Sequence, residues 1–279
     1  MRHNWCMLEF RDLVATLHDL GIVSGDAIMV HASLRALGPI EDRAAGLVRA
    51  LDAAVGGDGT VLMTLGARDE CAWVNERPEA ERAGLLAGTE PFDFMSTPAD
   101  PDVGVLAEVF RQTPGTLASD HPEGRFGARG HLAERFLVRV PWDDYYGPGS
   151  PLERFTNARG KVLRLGSDPN TVTLLHYAEY LAELPHKRRV RRHRLVAGPS
   201  GPEIRAIECL DDADGIVDYP EEDYFATILN TYLRQRETAV RFVGNARSEL
   251  LDATDLVAFA TKWMTDHLAT HPRGENFGC

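Results

Sequence analysis

Cysteine is scarce. The four in 279 residues, Cys6, Cys71, Cys209 and Cys279, are scattered. They form no CxxC pair and show no metal-ligand spacing with histidine, so neither a disulfide framework nor a zinc site is supported. They are expected as free thiols in a reducing compartment. Long apolar runs are missing too. No stretch approaches the roughly 20 residues of a membrane span. The amino end MRHNWCMLEF has no apolar leader core. A cytoplasmic protein with no membrane partner is expected. Positive charge is short: 30 Lys and Arg stand against 42 Asp and Glu, for a net charge of -12. That argues against a nucleic-acid partner and suits a cationic one. The only basic run, LPHKRRVRRHR at 184–194, reads as a solvated helix end or strand flank, or as a contact for a phosphorylated cofactor.

Several chemical signatures are also absent. There is no GxxxxGKS/T loop, no GxGxxG after the first strand, no GxSxG elbow and no HExxH. Nucleotide hydrolysis, dinucleotide binding, serine-hydrolase chemistry and a zinc-protease site lose their usual carriers. What remains is histidine and carboxylate chemistry with no metal and no covalent nucleophile. Such chemistry suits transfer of a group to an amine.

Among the features present, 44% hydrophobic and 26% charged residues are ordinary for a globular protein. The pattern predicts a single α/β domain over 1–279. Its central sheet is mainly parallel and flanked by helices, with a smaller antiparallel β element and a long substrate-binding excursion. Helical spacing covers 8–20 and 42–55. Short strands are expected at Ala27 to Val30, at Thr60 to Thr64, which reads as buried, and at Lys161 to Leu165, which alternates polar and apolar. The pattern fails from Gly66 to Pro101, a span rich in acids. Excursions of that length are usually functional or disordered, so it is either a solvated loop or the lining of a cationic site. A helix capped by Asp102 should cover Val103 to Gln112, and one starting at Ser150-Pro151 should follow. Antiparallel strands are expected around GPSGP within 193–209. After them comes the acidic stretch DDADGIVDYPEEDYF (211–225), then helices from Phe225 and from Asp252. The tail 271–279 is expected to be disordered.

The richest stretch is GSDPNTVTLLHYAEYLAE, 166–183. It reads as a break after a strand, an N-cap at Asn170, and a helix. Thr173, His176, Glu179, Tyr180 and Glu183 recur at three and four residues and share one face. Val172, Leu175, Ala178 and Ala182 fall on a core-facing stripe. His176, one turn into a helix at the end of a strand, is placed for general-base work. A packed or capping histidine is the plainer alternative.

The segments VHASLRALGPI (30–40), ASDHP (118–122), GPGSPLERF (147–155), GSDPNTVTLLHYAEYLAELPHKR (166–188) and GNARSELLDATDLVAFA (244–260) closely resemble the aminoglycoside 3-N-acetyltransferases, which are unrelated in fold to the GNAT enzymes. The resemblance spreads over about 30–260. It implies transfer of acetyl from acetyl-CoA, with no metal, to the 3-amino group of a 2-deoxystreptamine ring, and hence antibiotic resistance. His176 would be the general base. A carboxylate from the later acidic segment would polarise it: Glu221 first, then Asp223, then Glu222. Thr173 would supply a hydroxyl near the thioester carbonyl. The coenzyme loop would fall on His31, Ala32, Ser33, Leu34 and Arg35, joined by Ser119 and His121. For a polycationic acceptor, Glu90, Asp93, Asp102 and Glu179 are the expected contacts, with Tyr146 and Glu123 behind them; Glu179 is alternatively an i,i+3 partner within the helix. A monomer or homodimer is expected. A transferase of the same fold acting on another amine, biosynthetic or peptide, is the competing reading.

Overall fold

The computed structural model describes residues 7–220 and 223–269. The expected tail lies outside them. After helix α1 (Phe10–Asp19), strand β1 (Ala27–Ala32) enters the middle of a sheet. A short helix α2 (Leu34–Leu37), helix α3 (Arg43–Val55) and strand β2 (Thr60–Thr64) follow. The excursion after β2 holds helix α4 (Glu79–Leu86), and helix α5 (Val105–Gln112) returns the chain to the core. Then come β3 (Leu117–Ala118), β4 (Phe126–Gly130), α6 (Ala133–Leu137), α7 (Pro151–Asn157), β5 (Lys161–Leu165) and α8 (Leu174–Leu181). A long hairpin, β6 (Arg189–Gly198) and β7 (Gly201–Leu210), precedes α9 (Tyr224–Gln235), β8 (Arg241–Val243), β9 (Ala246–Asp252) and α10 (Ala253–Leu268).

The main sheet has seven strands in the order β3-β4-β2-β1-β5-β9-β8. Its three central strands run parallel: β1 pairs with β2 and with β5. Antiparallel partners extend it on both sides, β4 on β2 and β9 on β5. The hairpin forms the separate antiparallel element. Strand β1, AIMVHA, is buried along almost its whole length, as a strand covered on both faces must be. Its alternate residues enter different cores. Ile28 and Val30 pack with Leu13, Leu17, Leu47, Leu51 and Phe110 from α1, α3 and α5. Met29 packs with Phe136, Phe155, Leu175, Ile228 and Leu256 from α6 to α10. Among the described residues no helix is long and apolar enough to cross a membrane.

Some local expectations shift. Asp102 does not cap α5. Asp100 accepts the Asp102 N–H at 2.9 Å and caps a short turn at 101–103, and Gly104 stands at the N-cap of α5. The excursion is not a bare loop. Besides α4, it lays Phe92 beside Val196 of the hairpin. The fully buried Arg125 fastens it, donating to the carbonyls of Thr97 at 2.8 Å and Phe94 at 2.9 Å. Two caps stand as expected. Ser150 accepts from Glu153 N at 3.2 Å, and Asp252 accepts from Asp255 N at 2.8 Å.

The unit β5–loop–α8 positions the chemistry. Gly166 turns the chain at φ +66, with its α-carbon so close to Ala36 and Ala246 that an added Cβ would sit 2.7 Å from each of their side chains. Only glycine suits that turn. The helix begins later than Asn170 suggests. Pro169 to Thr171 form a 3-10 turn, and Thr173 stands at the N-cap of α8. Val172, Leu175 and Ala178 are fully buried and Ala182 nearly so, which fixes the helix with His176 on its other side.

Candidate active site

His176 lies on the first turn of α8, half-buried. Its Nδ1 lies 2.8 Å from Glu179 Oε2, one turn further on. Glu179 is 1% exposed. Its other oxygen, Oε1, accepts a short hydrogen bond from the Tyr224 hydroxyl. A carboxylate on Nδ1 holds that nitrogen as the N–H and leaves Nε2 as the basic nitrogen. Tyr146 stacks on one side of the ring at 5.0 Å and 11°. Phe225 meets it edge-on at 4.8 Å. The imidazole is therefore fixed in both rotation and tautomer.

Burial works against the charged imidazole, but the Glu179 carboxylate outweighs it by charge and hydrogen bond. Asp212 and Asp223 add to the same side. The pKa is raised above 6.5. The ring is thus more basic than an ordinary imidazole.

The segment 170–176 contributes to two clefts. The first, of about 340 Å³, is lined by Asn170, His176 and the acids Glu179, Asp212, Asp214, Asp218 and Asp223. Asp212 is held by the Tyr145 hydroxyl at 2.6 Å and Arg192 at 2.6 Å. The basic run 184–194 thus has a local role: Arg192 anchors this acid, while Arg194 pairs with Asp69 at 2.8 Å and Glu123 at 3.0 Å. The second cleft, of about 230 Å³, is lined by His31, Ala32, Thr64, Asp102, Thr171 and Thr173. There the Thr64 hydroxyl donates to the Thr173 hydroxyl at 3.1 Å. His31 is buried and pushed down to about 4, by burial first and by Arg164 second. It is a neutral imidazole.

Other residues singled out from the sequence fall elsewhere. Glu179, expected at the acceptor, lines the first cleft beside His176 and has both its oxygens hydrogen-bonded within the protein. Asp223, expected on His176, caps α9 by accepting from Phe225 N at 2.7 Å. It reaches the imidazole only through its charge. Glu221 and Glu222 lie outside the described residues. Glu90 lines a separate cavity with Arg68 and Arg194. Asp93 turns inward to the backbone, accepting from Met95 N at 2.7 Å. Glu123 is neutralised by Arg194. Ser33 caps α2, accepting from Ala36 N at 3.3 Å, with Leu34 and Arg35 in that helix. Ser119 and His121 are buried and committed. Ser119 Oγ accepts from Phe126 N at 2.9 Å, His121 Nδ1 accepts from Gly124 N at 2.8 Å, and His121 Nε2 donates to Trp142 O at 2.8 Å. They hold the turn before β4.

The H-x-x-E spacing already offered Glu179 as an i,i+3 partner, and the structure pairs it with His176. Sequence reasoning missed Thr64, which only the β2–β1–β5 order brings to Thr173, and Tyr224. The acidic stretch was noticed, but nothing local tied it to the cleft.

Similarity to known proteins runs over nearly the whole chain. The family model for aminoglycoside 3-N-acetyltransferase matches residues 29–265. An aminoglycoside N(3)-acetyltransferase III of Serratia marcescens is 35% identical over 271 residues, covering 94% of this chain and 98% of the relative. The solved structure of AAC-IIIb in a binary complex with CoASH superposes with a TM-score of 0.89 at 38% identity, covering 96% of this chain and all of that one. AAC-VIa bound to sisomicin superposes with a TM-score of 0.87 at 34% identity, covering 94% and 98%.

Proposed function

The chain belongs to the aminoglycoside 3-N-acetyltransferase family, and from that premise we propose that it transfers acetyl from acetyl-CoA to the 3-amino group of a 2-deoxystreptamine aminoglycoside, with His176 as general base and Glu179 as its partner. The observation that carries this reading is the pair of clefts served by one short segment, 170–176. One side is acidic and suits a polycation. The other carries hydroxyls and a neutral imidazole and suits the coenzyme's thioester end.

The chemistry follows from those placements. An acceptor amine is an ammonium near neutral pH and enters the acidic cleft as a cation. It gives its first proton to solvent, which leaves the neutral amine that attacks, and it sheds a further proton as nitrogen bonds to the thioester carbon. His176 Nε2 takes that proton, and Glu179 stabilises the resulting imidazolium. The carbonyl oxygen becomes negative as the tetrahedral species forms. The Thr173 hydroxyl is the donor proposed for it, because Thr64 donates to Thr173 and leaves the Thr173 proton free to point outward. Collapse expels the coenzyme thiolate, which leaves as thiol on protonation. Both substrates are held together, so positioning supplies much of the rate, and no acetyl-enzyme forms.

His31, Ala32 and Asp102 are proposed beside the coenzyme end, and Asp214 on the acceptor side, with Asp212 and Asp218 sharing their charge with Arg192 and Arg188. The test is release of free thiol from acetyl-CoA with and without an aminoglycoside, with the acetylated nitrogen located by NMR. Acceptor-dependent release with acetylation at the 3-amine is expected. Turnover only with other amines, or acetylation at a different nitrogen, would overturn the substrate assignment.

A further inference from the structure

We infer that Tyr224 is a positioning residue for the His176–Glu179 pair, and that its hydroxyl links the base to the acidic loop 211–219 that lines the same cleft. This rests on His176 being the base. The hydroxyl donates to Glu179 Oε1 and accepts the backbone N–H of Ile216 at 3.1 Å. A continuous relay therefore runs from a loop amide through a phenol and a carboxylate to the imidazole. Tyr224 is 6% exposed and Ile216 fully buried. Gly215 lies so close that an added Cβ would sit 3.0 Å from the phenol ring. The Asp223 cap fixes the start of α9, where Tyr224 is the first residue.

A buried carboxylate needs donors on both oxygens. His176 satisfies one and Tyr224 the other. The phenol also shares the charge that Glu179 would otherwise direct wholly at the imidazole. Without it, His176 would bind its proton more tightly and fewer molecules would carry a free base at neutral pH. The other charges facing the ring are Asp212 from the loop and Asp223 from the start of α9. The uncharged rings of Tyr146 and Phe225 cover its faces, and Lys187 is the cation towards Glu179. None of these replaces a donor on Glu179 Oε1.

The experiment compares wild type, Tyr224→Phe and a fluorotyrosine at 224, which keeps the shape and donates more strongly. His176 is followed by NMR titration of labelled histidine without substrate, and the pH–rate profile is measured in parallel. In Tyr224→Phe the His176 titration and the acid limb should move up together, with a loss of roughly 10-fold at neutral pH. Fluorotyrosine should move both down. Titrations identical to wild type in both variants would overturn the inference, whatever the rates. Separately, His176→Ala retaining full turnover would overturn the base assignment itself, so the two failures are distinguishable.

Discussion

Glu179 sits one helical turn after His176, with its Oε2 2.8 Å from the imidazole Nδ1 and its carboxylate sealed from solvent. Imidazole and carboxylate therefore share one rigid element. Their geometry is set by α8 rather than by a loop that must close. Removing the charge while keeping the shape should be informative. Glu179→Gln is expected to lose about 100-fold in kcat. Its acid limb should move to lower pH, because burial, which disfavours the imidazolium, is then less opposed. An unchanged limb would mean that Glu179 does not tune the base.

The pH dependence of the wild type follows from the same pair. His176 has a raised pKa, with burial opposing and Glu179 prevailing. Activity needs the neutral ring, so kcat should rise with pH through a limb above 6.5. The linked stability has the opposite sign. The protonated ring's contribution is fully present below the unfolded value and is lost as pH rises through the higher folded one. Rate and thermal midpoint measured across that window should move in opposite directions. A limb below 6.5 would contradict the account.

Thr173→Val should keep acetyl-CoA binding and lose roughly 100- to 1,000-fold in kcat, the scale for removing one donor to a developing oxyanion. Thr64→Val, which loosens Thr173 without removing it, should cost less. Equal losses, or an effect confined to KM, would place Thr173 in binding and not in the transition state.

Ser119 separates a structural reading from a coenzyme one. Its hydroxyl is buried and satisfies Phe126 N. Ser119→Ala should cost about 1–3 kcal/mol of stability by leaving that amide unpaired, with the KM for acetyl-CoA unchanged. A raised KM with normal stability would restore Ser119 to the coenzyme site.

Much of this was readable in the sequence, and the rest was hidden for physical reasons. Strands β1 and β2 are short apolar runs and β5 alternates polar and apolar, and their alternation with helices is what favoured a mainly parallel sheet. The face of α8 was also readable, since Val172, Leu175 and Ala178 mark its core side. Its start was not, because Pro169 makes a 3-10 turn ahead of the helix. For Glu179 the i,i+3 spacing allowed either a contact with His176 or one with a ligand, and only the folded chain shows both its oxygens hydrogen-bonded, to His176 and to Tyr224. The excursion carries many acids, but the cleft beside His176 draws Asp212, Asp214 and Asp218 from after the hairpin. Such a meeting of distant segments depends on how the hairpin and α9 fold back onto α8, and composition does not carry that.

The most direct measurement is free-thiol release from acetyl-CoA by wild type and His176→Ala at saturating aminoglycoside, with coenzyme binding checked in both. The account predicts that the variant still binds coenzyme and that its acceptor-dependent rate falls by roughly 100- to 10,000-fold. A variant that turns over at the wild-type rate would contradict the central claim, that this imidazole takes the proton from the attacking amine.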